Sequence, residues 1–339
     1  MTARYFAGSL TRISDLGSAA FDVETLDRDA WGDGDYVVAR VLEPGESRRI
    51  ELPTGRLTSL ETGDRLIGAL GVRHATLEAT GDWRDVGPDL RMELLTGAGL
   101  LGRATSVSAV LGRLARLAYE GHVVREGKPV RMRDFVRPVE PRAWETPTVL
   151  IIGTSMSAGK TATARAAIRR LVERGLSPIG AKLTGAGRYR DILTMRDAGA
   201  DRILDFVDAG LPSSVGAPED YRASLAWMLS RLAEAEADAA VIEAGASPLE
   251  PYNGSVAFEG VAETVRFLIL AASDPYAVLG VMRAFGVTPD LVTGIATNTR
   301  AGRELVERLT GVPALNVMDP RNREAFGDLL EAALREVEE

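Results

Sequence analysis

Residues 149–164, VLIIGTSMSAGKTATA, constrain this chain more than any other stretch. An apolar run ends in Gly153, crosses small residues and finishes in Gly159-Lys160-Thr161 ahead of a helical pattern. A buried strand that feeds such a loop and then a helix turns backbone N–H groups and the helix's positive end toward one point, where a polyphosphate fits. There Lys160 would neutralise phosphate charge and the Thr161 hydroxyl would ligate Mg2+. The candidate nucleotide-binding residues are Gly153, Thr154, Ser155, Met156, Ser157, Ala158, Gly159, Lys160, Thr161 and Ala162. Five residues separate the two glycines, one more than in the usual phosphate loop, and the same physical logic tolerates that extra residue.

The sequence around this loop has two grammars. From residue 148 onward, apolar runs at 148–152, 177–181, 239–243, 265–272, 291–297 and 314–318 alternate with helical patterns such as TATARAAIRRLVERG, DYRASLAWMLSRLAEAEA, DPYAVLGVMRAFG and GRELVERLTG. That alternation predicts an α/β domain with a mainly parallel sheet, its ligands gathered at the carboxyl ends of the strands. Residues 1–140 read instead as short alternating runs, YVVARVLE, SRRIELP, DRLIGALGVRHATLEA and LRMELLTGAGLLGRATS, broken by Gly, Pro and Asp. This predicts a smaller, mostly-β domain, an antiparallel sheet or small barrel, with a helix only over SVSAVLGRLARLAYEGH. No cluster of acid, base and nucleophile stands out there, so a scaffold or oligomerisation domain is expected. The proline-rich stretch VRPVEPRAWETP contains the linker, residues 141–147, ahead of a domain spanning 148–339.

Composition narrows the chemistry. The chain has no cysteine and only two histidines, His74 and His122, so thiolate nucleophiles and Cys- or His-rich zinc sites are excluded, and each histidine is expected to be an ordinary surface or barrel residue. A net charge of -8 disfavours nucleic acid as a partner. No segment reaches the roughly 18 uncharged apolar residues of a membrane span, and the N-terminus lacks a signal-peptide core, so no membrane association and a cytoplasmic location are expected. Glu243 closes an apolar run, where a lone carboxylate is costly unless a cation such as Mg2+ compensates it.

The loop Gly-Thr-x-x-x-x-Gly-Lys-Thr resembles that of dethiobiotin synthetase and its relatives in the SIMIBI class of P-loop proteins, and further segments agree with that family in order. GLSPIGAKLTGAG is similar to the family's second strand, whose lysine contacts substrate and the transferring phosphoryl group; the role falls on Lys182. RYRDILTMRDAGA puts Asp191 near the family's Mg2+-binding aspartate, with Asp197, Asp201 and Asp205 also within reach. ADAAVIEAGASPLEP resembles the strand whose glutamate serves the metal, here Glu243, and PDLVTGIATNTRAG resembles the strand end that holds adenine through an asparagine, here Asn298. The likeness covers roughly 147–320. It implies ATP and Mg2+ as cofactors, Lys160 and Lys182 as catalytic residues, Thr161, Asp191 and Glu243 as metal ligands, and a homodimer. The departures fall where the organic substrate would sit: Ser155 replaces an acidic residue, Gly245-Ala246-Ser247 replaces Gly-Ala-Gly-Gly, and the N-terminal half has no counterpart.

A second group, two-domain P-loop proteins linked to D-glutamate N-acyltransferase activity, is similar in chain length, in Thr184-Gly185, in Asp205-Phe206 and in Glu243 with Ser247. Together these resemblances point to Ser155, Thr184, Gly185 and Ser247 as substrate residues. Three activities stay open: Mg-ATP-dependent activation of a small carboxylate or carbamate for attack by an amine or an internal nucleophile, N-acyl transfer from a CoA-like donor, and a slow NTPase switch. The partner in the first two is a small-molecule carboxylate or amine.

Overall fold

A computed structural model of the chain describes residues 5–335. They form two compact units, residues 5–138 with Ala186–Arg190 and Phe206–Val215, and Val139–Gly185 with Asp191–Asp205 and residues 216–335. Two short segments from the second half of the sequence thus belong to the first unit.

The first unit is built on a strand ring. Tyr36–Glu43 lies antiparallel between Arg65–Leu70 and Arg116–Arg125. Arg116–Arg125 continues to Arg91–Thr96, which pairs with Leu100–Val107. Leu100 and Leu101 then pair in parallel with Ala69 and Leu70, which closes the ring as a small barrel and removes its open edges. Inward positions Val37, Val41, Leu66, Met92, Leu101 and Leu117 fill its core.

The helix expected over 106–122 is absent. Leu100–Val107 and Arg116–Arg125 are strands, with a turn between them. Leu117, Tyr119 and Val123 alternate inward along the second strand, while Val110, part of the apparent helical stripe, is 98% exposed. Gly112 takes a φ of +74°, which stops a helix. Pairing on both edges of Arg116–Arg125 overrides a local pattern that fits either period.

The second unit holds a parallel sheet of β1 (Thr148–Gly153), β2 (Pro178–Thr184), β3 (Ile203–Asp205), β4 (Ala239–Ala244), β5 (Val265–Ala271) and β6 (Leu291–Thr293), in the order β3-β2-β4-β1-β5-β6. Every pairing in it is parallel. Between and after the strands run α1 (Lys160–Glu173), α2 (Tyr189–Asp197), α3 (Pro218–Leu232), α4 (Gly254–Val261), α5 (Pro275–Phe285), α6 (Arg300–Thr310) and α7 (Arg323–Arg335). The α/β fold with a preceding mostly-β unit is the fold class expected from the sequence. Strands β1, β2 and β4 are buried along their whole length, as strands covered on both faces must be.

Two details differ from expectation. The run at 314–318 forms only an isolated parallel bridge, Val292 to Ala314, although Ala314 and Val317 are buried. The other is the short β3, which was not expected and forms the opposite edge of the sheet beside β2. No helix among the described residues is long and apolar enough to cross a membrane.

Candidate functional site

The phosphate-loop segment leaves β1 at Gly153 and enters α1 at Lys160. A Cβ on Gly153 would stand 2.8 Å from Lys160 Cδ and 2.9 Å from its Nζ, so the lysine stem lies directly across the glycine. Lys160 Nζ donates to the Ser155 carbonyl at 2.6 Å, spanning the loop from its helical end to its strand end. Gly159 caps the helix with a φ of +109°, a conformation that other residues rarely adopt. Gly294 backs the loop at close range, since a Cβ there would meet the Ala158 carbonyl at 2.4 Å. Thr154 ties the loop to the end of β5: its N–H donates to Ala271 O at 3.1 Å and its hydroxyl accepts from the Ser273 N–H at 3.0 Å. Ser155 is buried, whereas Ser157 and Ala162 are exposed.

Lys160 is only 2% exposed. Burial pulls its ammonium down from 10.5 to about 8, against the upward pull of the Glu243 carboxylate, with Lys182 adding to the fall. A buried lysine without a carboxylate in direct contact is poised for an anion.

Beside the loop, three neighbouring strand ends bring charges together. Lys182 on β2 stands in register with Glu243 on β4 and with Asp205 on β3. The Thr161 hydroxyl donates to Glu243 Oε2 at 2.9 Å. Lys182 Nζ donates to Asp191 Oδ2 and lies 3.9 Å from Glu243 Oε1. Burial works to lower the Lys182 ammonium, but the Asp191, Glu243 and Asp205 carboxylates outweigh it and hold it above the ordinary lysine range. The two lysines are thus shifted in opposite directions, Lys160 downward by burial and Lys182 upward by its carboxylates.

The oxygens of Thr161 and Glu243 are hard ligands of the kind Mg2+ accepts, and that ion usually takes few protein oxygens, completing its shell with water and phosphate. Asp191 is engaged by Lys182. Asp197 and Asp201 are exposed and outside this cluster, while Asp205 is buried within it. Among the described residues no group of three His, Cys, Asp or Glu is arranged to hold a metal.

Of the expected substrate residues, Thr184 and Gly185 follow Lys182 at the end of β2, whereas Ser155 lies in the loop against Lys160. Thr184 is buried and its hydroxyl donates to the Gly245 carbonyl. Gly185 has a φ of +130°, and a Cβ there would lie 3.1 Å from Lys182 Cε. Gly245 approaches from the other side, where a Cβ would lie 3.5 Å from both Lys182 Cε and Glu243 Oε1. The buried Ser247 hydroxyl accepts from the Leu249 N–H at 3.3 Å. Asn298, exposed after the turn Ile295–Thr297, accepts from Asn316 Nδ2 at 3.4 Å.

Sequence reasoning missed Asn316 and Gly294, which only spatial proximity reveals. It also missed a buried cluster in the first unit. Tyr119 Oη and His122 Nδ1 lie 2.6 Å apart, His122 Nε2 stands 3.4 Å from Asp35, and Arg131 donates to Asp35 at 2.8 Å. His122 and Asp35 are fully enclosed, so the expectation that no acid and base meet in this unit is corrected to a sealed polar network.

No family profile and no curated protein matches the chain. Similar solved structures include hydrogenase maturation factor HypB from Archaeoglobus fulgidus, with 15% identity, 56% of this chain and 91% of that one covered and a TM-score of 0.39. Chloroplast FtsY from Physcomitrella patens has 16% identity, 57% and 68% coverage and a TM-score of 0.38. A DUF1611 family protein from Anabaena variabilis has 16% identity, 63% and 66% coverage and a TM-score of 0.38. Likeness at this level carries no argument about ligand or reaction.

Proposed function

We propose that the second unit binds Mg-ATP at residues 153–162 and transfers the terminal phosphoryl group to a small carboxylate or carbamate, which an amine then attacks with loss of phosphate, a ligase- or synthetase-like reaction. The observation that carries this reading is the convergence of Lys160, Thr161, Lys182, Asp191 and Glu243 at the ends of adjacent parallel strands. Phosphoryl transfer asks a protein for positioning and charge neutralisation more than for covalent chemistry, so this chain needs neither cysteine nor catalytic histidine.

In this reading Lys160 meets the resting phosphates, giving up the Ser155 carbonyl for them. Lys182, held cationic and oriented by Asp191, faces the group in transfer. Thr161 and Glu243 would hold Mg2+, which when bound neutralises phosphate charge. Thr184, Gly185 and Ser247 border the acceptor, with Ser155 at the loop side, and Asn298 with Asn316 offers amide groups to the adenine edge.

Acyl transfer from a CoA-like donor would use the phosphate loop, and Lys182 could meet its oxyanion, but that reaction has no need of a hard cation beside the loop, whereas the Thr161 and Glu243 oxygens offer a place for one; this favours the phosphoryl reading. A thermal-shift screen of ATP, GTP, CoA and acetyl-CoA, each with and without Mg2+, tests the choice, because a ligand that binds the folded state raises the melting temperature by mass action. ATP should give the largest shift and only with Mg2+. A larger shift from CoA, independent of Mg2+, would favour the acyltransferase, and one from GTP the switch.

A further inference from the structure

Tyr221, in the first turn of α3, is 2% exposed, and its hydroxyl donates to the Leu183 carbonyl at 2.9 Å. We infer that this hydroxyl is a positioning group for Lys182 and Thr184, which flank Leu183; the inference rests on the phosphoryl-transfer reading above. All of the residues involved belong to the second unit.

The strand is irregular at Leu183. From Pro178 to Lys182, β2 pairs with β4 residue for residue, and Lys182 stands opposite Glu243. The next partners are Thr184 and Ala244, so Leu183 is an extra residue on the β2 side. On its other edge β2 pairs with β3 only as far as Lys182, opposite Asp205. Leu183 thus has a register partner in neither neighbour, yet it is fully buried, where a carbonyl needs a donor. Tyr221 brings one from α3. Bulges are rare in parallel pairs, and beside an active site they re-aim a side chain. Without the extra residue Thr184 would stand opposite Gly245; with it, Thr184 stands opposite Ala244 and its hydroxyl donates to the Gly245 carbonyl. Lys182, on the other side of the bulge, keeps its place between Asp191 and Glu243.

The donor is built in firmly. Tyr221, Leu225, Met228, Leu229 and Leu232 form the buried stripe of α3 at helical spacing. Leu225 packs closely on α4, where a Cβ on Gly260 would come within 2.7 Å of Leu225 Cδ2. A phenylalanine would fill the same space, and a buried hydroxyl is costly without a bond, so what distinguishes tyrosine here is its bond to Leu183. Burial raises the phenol above its ordinary range, so the group stays protonated and donates.

The test compares Tyr221→Phe, which removes one oxygen, with Leu225→Ala, which removes packing from the same helix face, both in the full chain. Without nucleotide, hydrogen exchange at amides 183–185 should quicken about tenfold in Tyr221→Phe while α1 keeps its protection. Calorimetry should find Mg-ATP affinity within about twofold of wild type, and affinity for Mg-ADP with aluminium fluoride, a mimic of the phosphoryl group in transfer, reduced about tenfold. Leu225→Ala should lower the melting temperature more and leave the ratio of the two affinities unchanged, which separates positioning from packing. Should Tyr221→Phe fail to fold, 3-fluorotyrosine at position 221 keeps the ring and strengthens the donor, and exchange at the same amides should slow about twofold. Wild-type exchange at 183–185 in Tyr221→Phe or in the fluorotyrosine protein overturns the inference. So does an unchanged affinity ratio in folded Tyr221→Phe, or the same change of ratio in Leu225→Ala. If the wild-type chain binds neither nucleotide complex, the phosphoryl-transfer reading falls instead, and exchange at 183–185 still decides whether Tyr221 holds the bulge.

Discussion

The Thr161 hydroxyl at the start of α1 donates to Glu243 Oε2 at the end of β4, 2.9 Å away, across 82 residues of sequence. That bond puts a hydroxyl and a carboxylate side by side next to the phosphate loop. In Glu243→Gln the shape survives and the charge does not. The Mg2+ concentration needed for half-maximal nucleotide binding should rise at least about tenfold, the scale seen even for groups outside a metal's direct ligands. A titration of Mg2+ against fixed ATP reads this directly; an unchanged midpoint would remove Glu243 from the metal site.

Lys182→Ala should separate binding from chemistry. Its ammonium serves Asp191 and Glu243 in the resting protein and the moving phosphoryl group in the proposed reaction. Turnover should fall about two to three orders of magnitude while Mg-ATP affinity changes little. The same substitution leaves buried carboxylates unpaired, so the melting temperature should drop as well, by an amount matching roughly 3 kcal/mol. Normal turnover in a folded Lys182→Ala protein would sink the proposed role.

Lys160 makes a pH prediction of definite sign. Its ammonium titrates near 8 when folded and near 10.5 when not, so the unfolded chain binds more protons between these values. The penalty for burying the charge is complete below about pH 8 and fades as pH rises to 10.5. Nucleotide-free Lys160→Met should therefore be more stable than wild type at pH 7 by on the order of 1–3 kcal/mol, and the gap should narrow above pH 8. Denaturant unfolding at pH 7 and pH 10 measures it. A gap that widens with pH would reverse the assigned direction.

Gly153→Ala tests the close approach beneath the lysine. The added Cβ would collide with the Lys160 side chain, not with backbone, so the chain should fold. The lysine tip should be displaced, and Mg-ATP affinity should fall about tenfold, a loss of roughly 1.4 kcal/mol. Wild-type affinity would mean that Lys160 has room the geometry does not give it.

Much of the second unit was readable because its signals are local. Asp274-Pro275 opens α5 and Gly286 closes it; Thr299 opens α6 and Gly311 closes it, and each cap stands where the sequence pattern changes. Glu243 was conspicuous as a carboxylate at the end of an apolar run, whereas Asp191, expected as a metal ligand, is instead engaged by Lys182, a pairing that the sequence did not suggest. The strand Arg116–Arg125 was misread because Leu114, Leu117 and Ala118 recur at helical spacing, while the partners that make it a strand lie on Tyr36–Glu43 and Arg91–Thr96. The three-residue β3 is too short to show any period. Tyr221 beside Leu183, Asp35 beside His122 and Asn316 beside Asn298 are products of folding, and no local pattern announces them.

The most direct measurement is calorimetric titration of Mg-ATP into the wild-type chain and into Lys160→Ala. The lysine reaches across Gly153 to the Ser155 carbonyl and contributes to the proposed ligand site far more than to the core. The account predicts binding by the wild type, and none measurable by a Lys160→Ala protein that remains folded by circular dichroism. Undiminished affinity in the variant would contradict it.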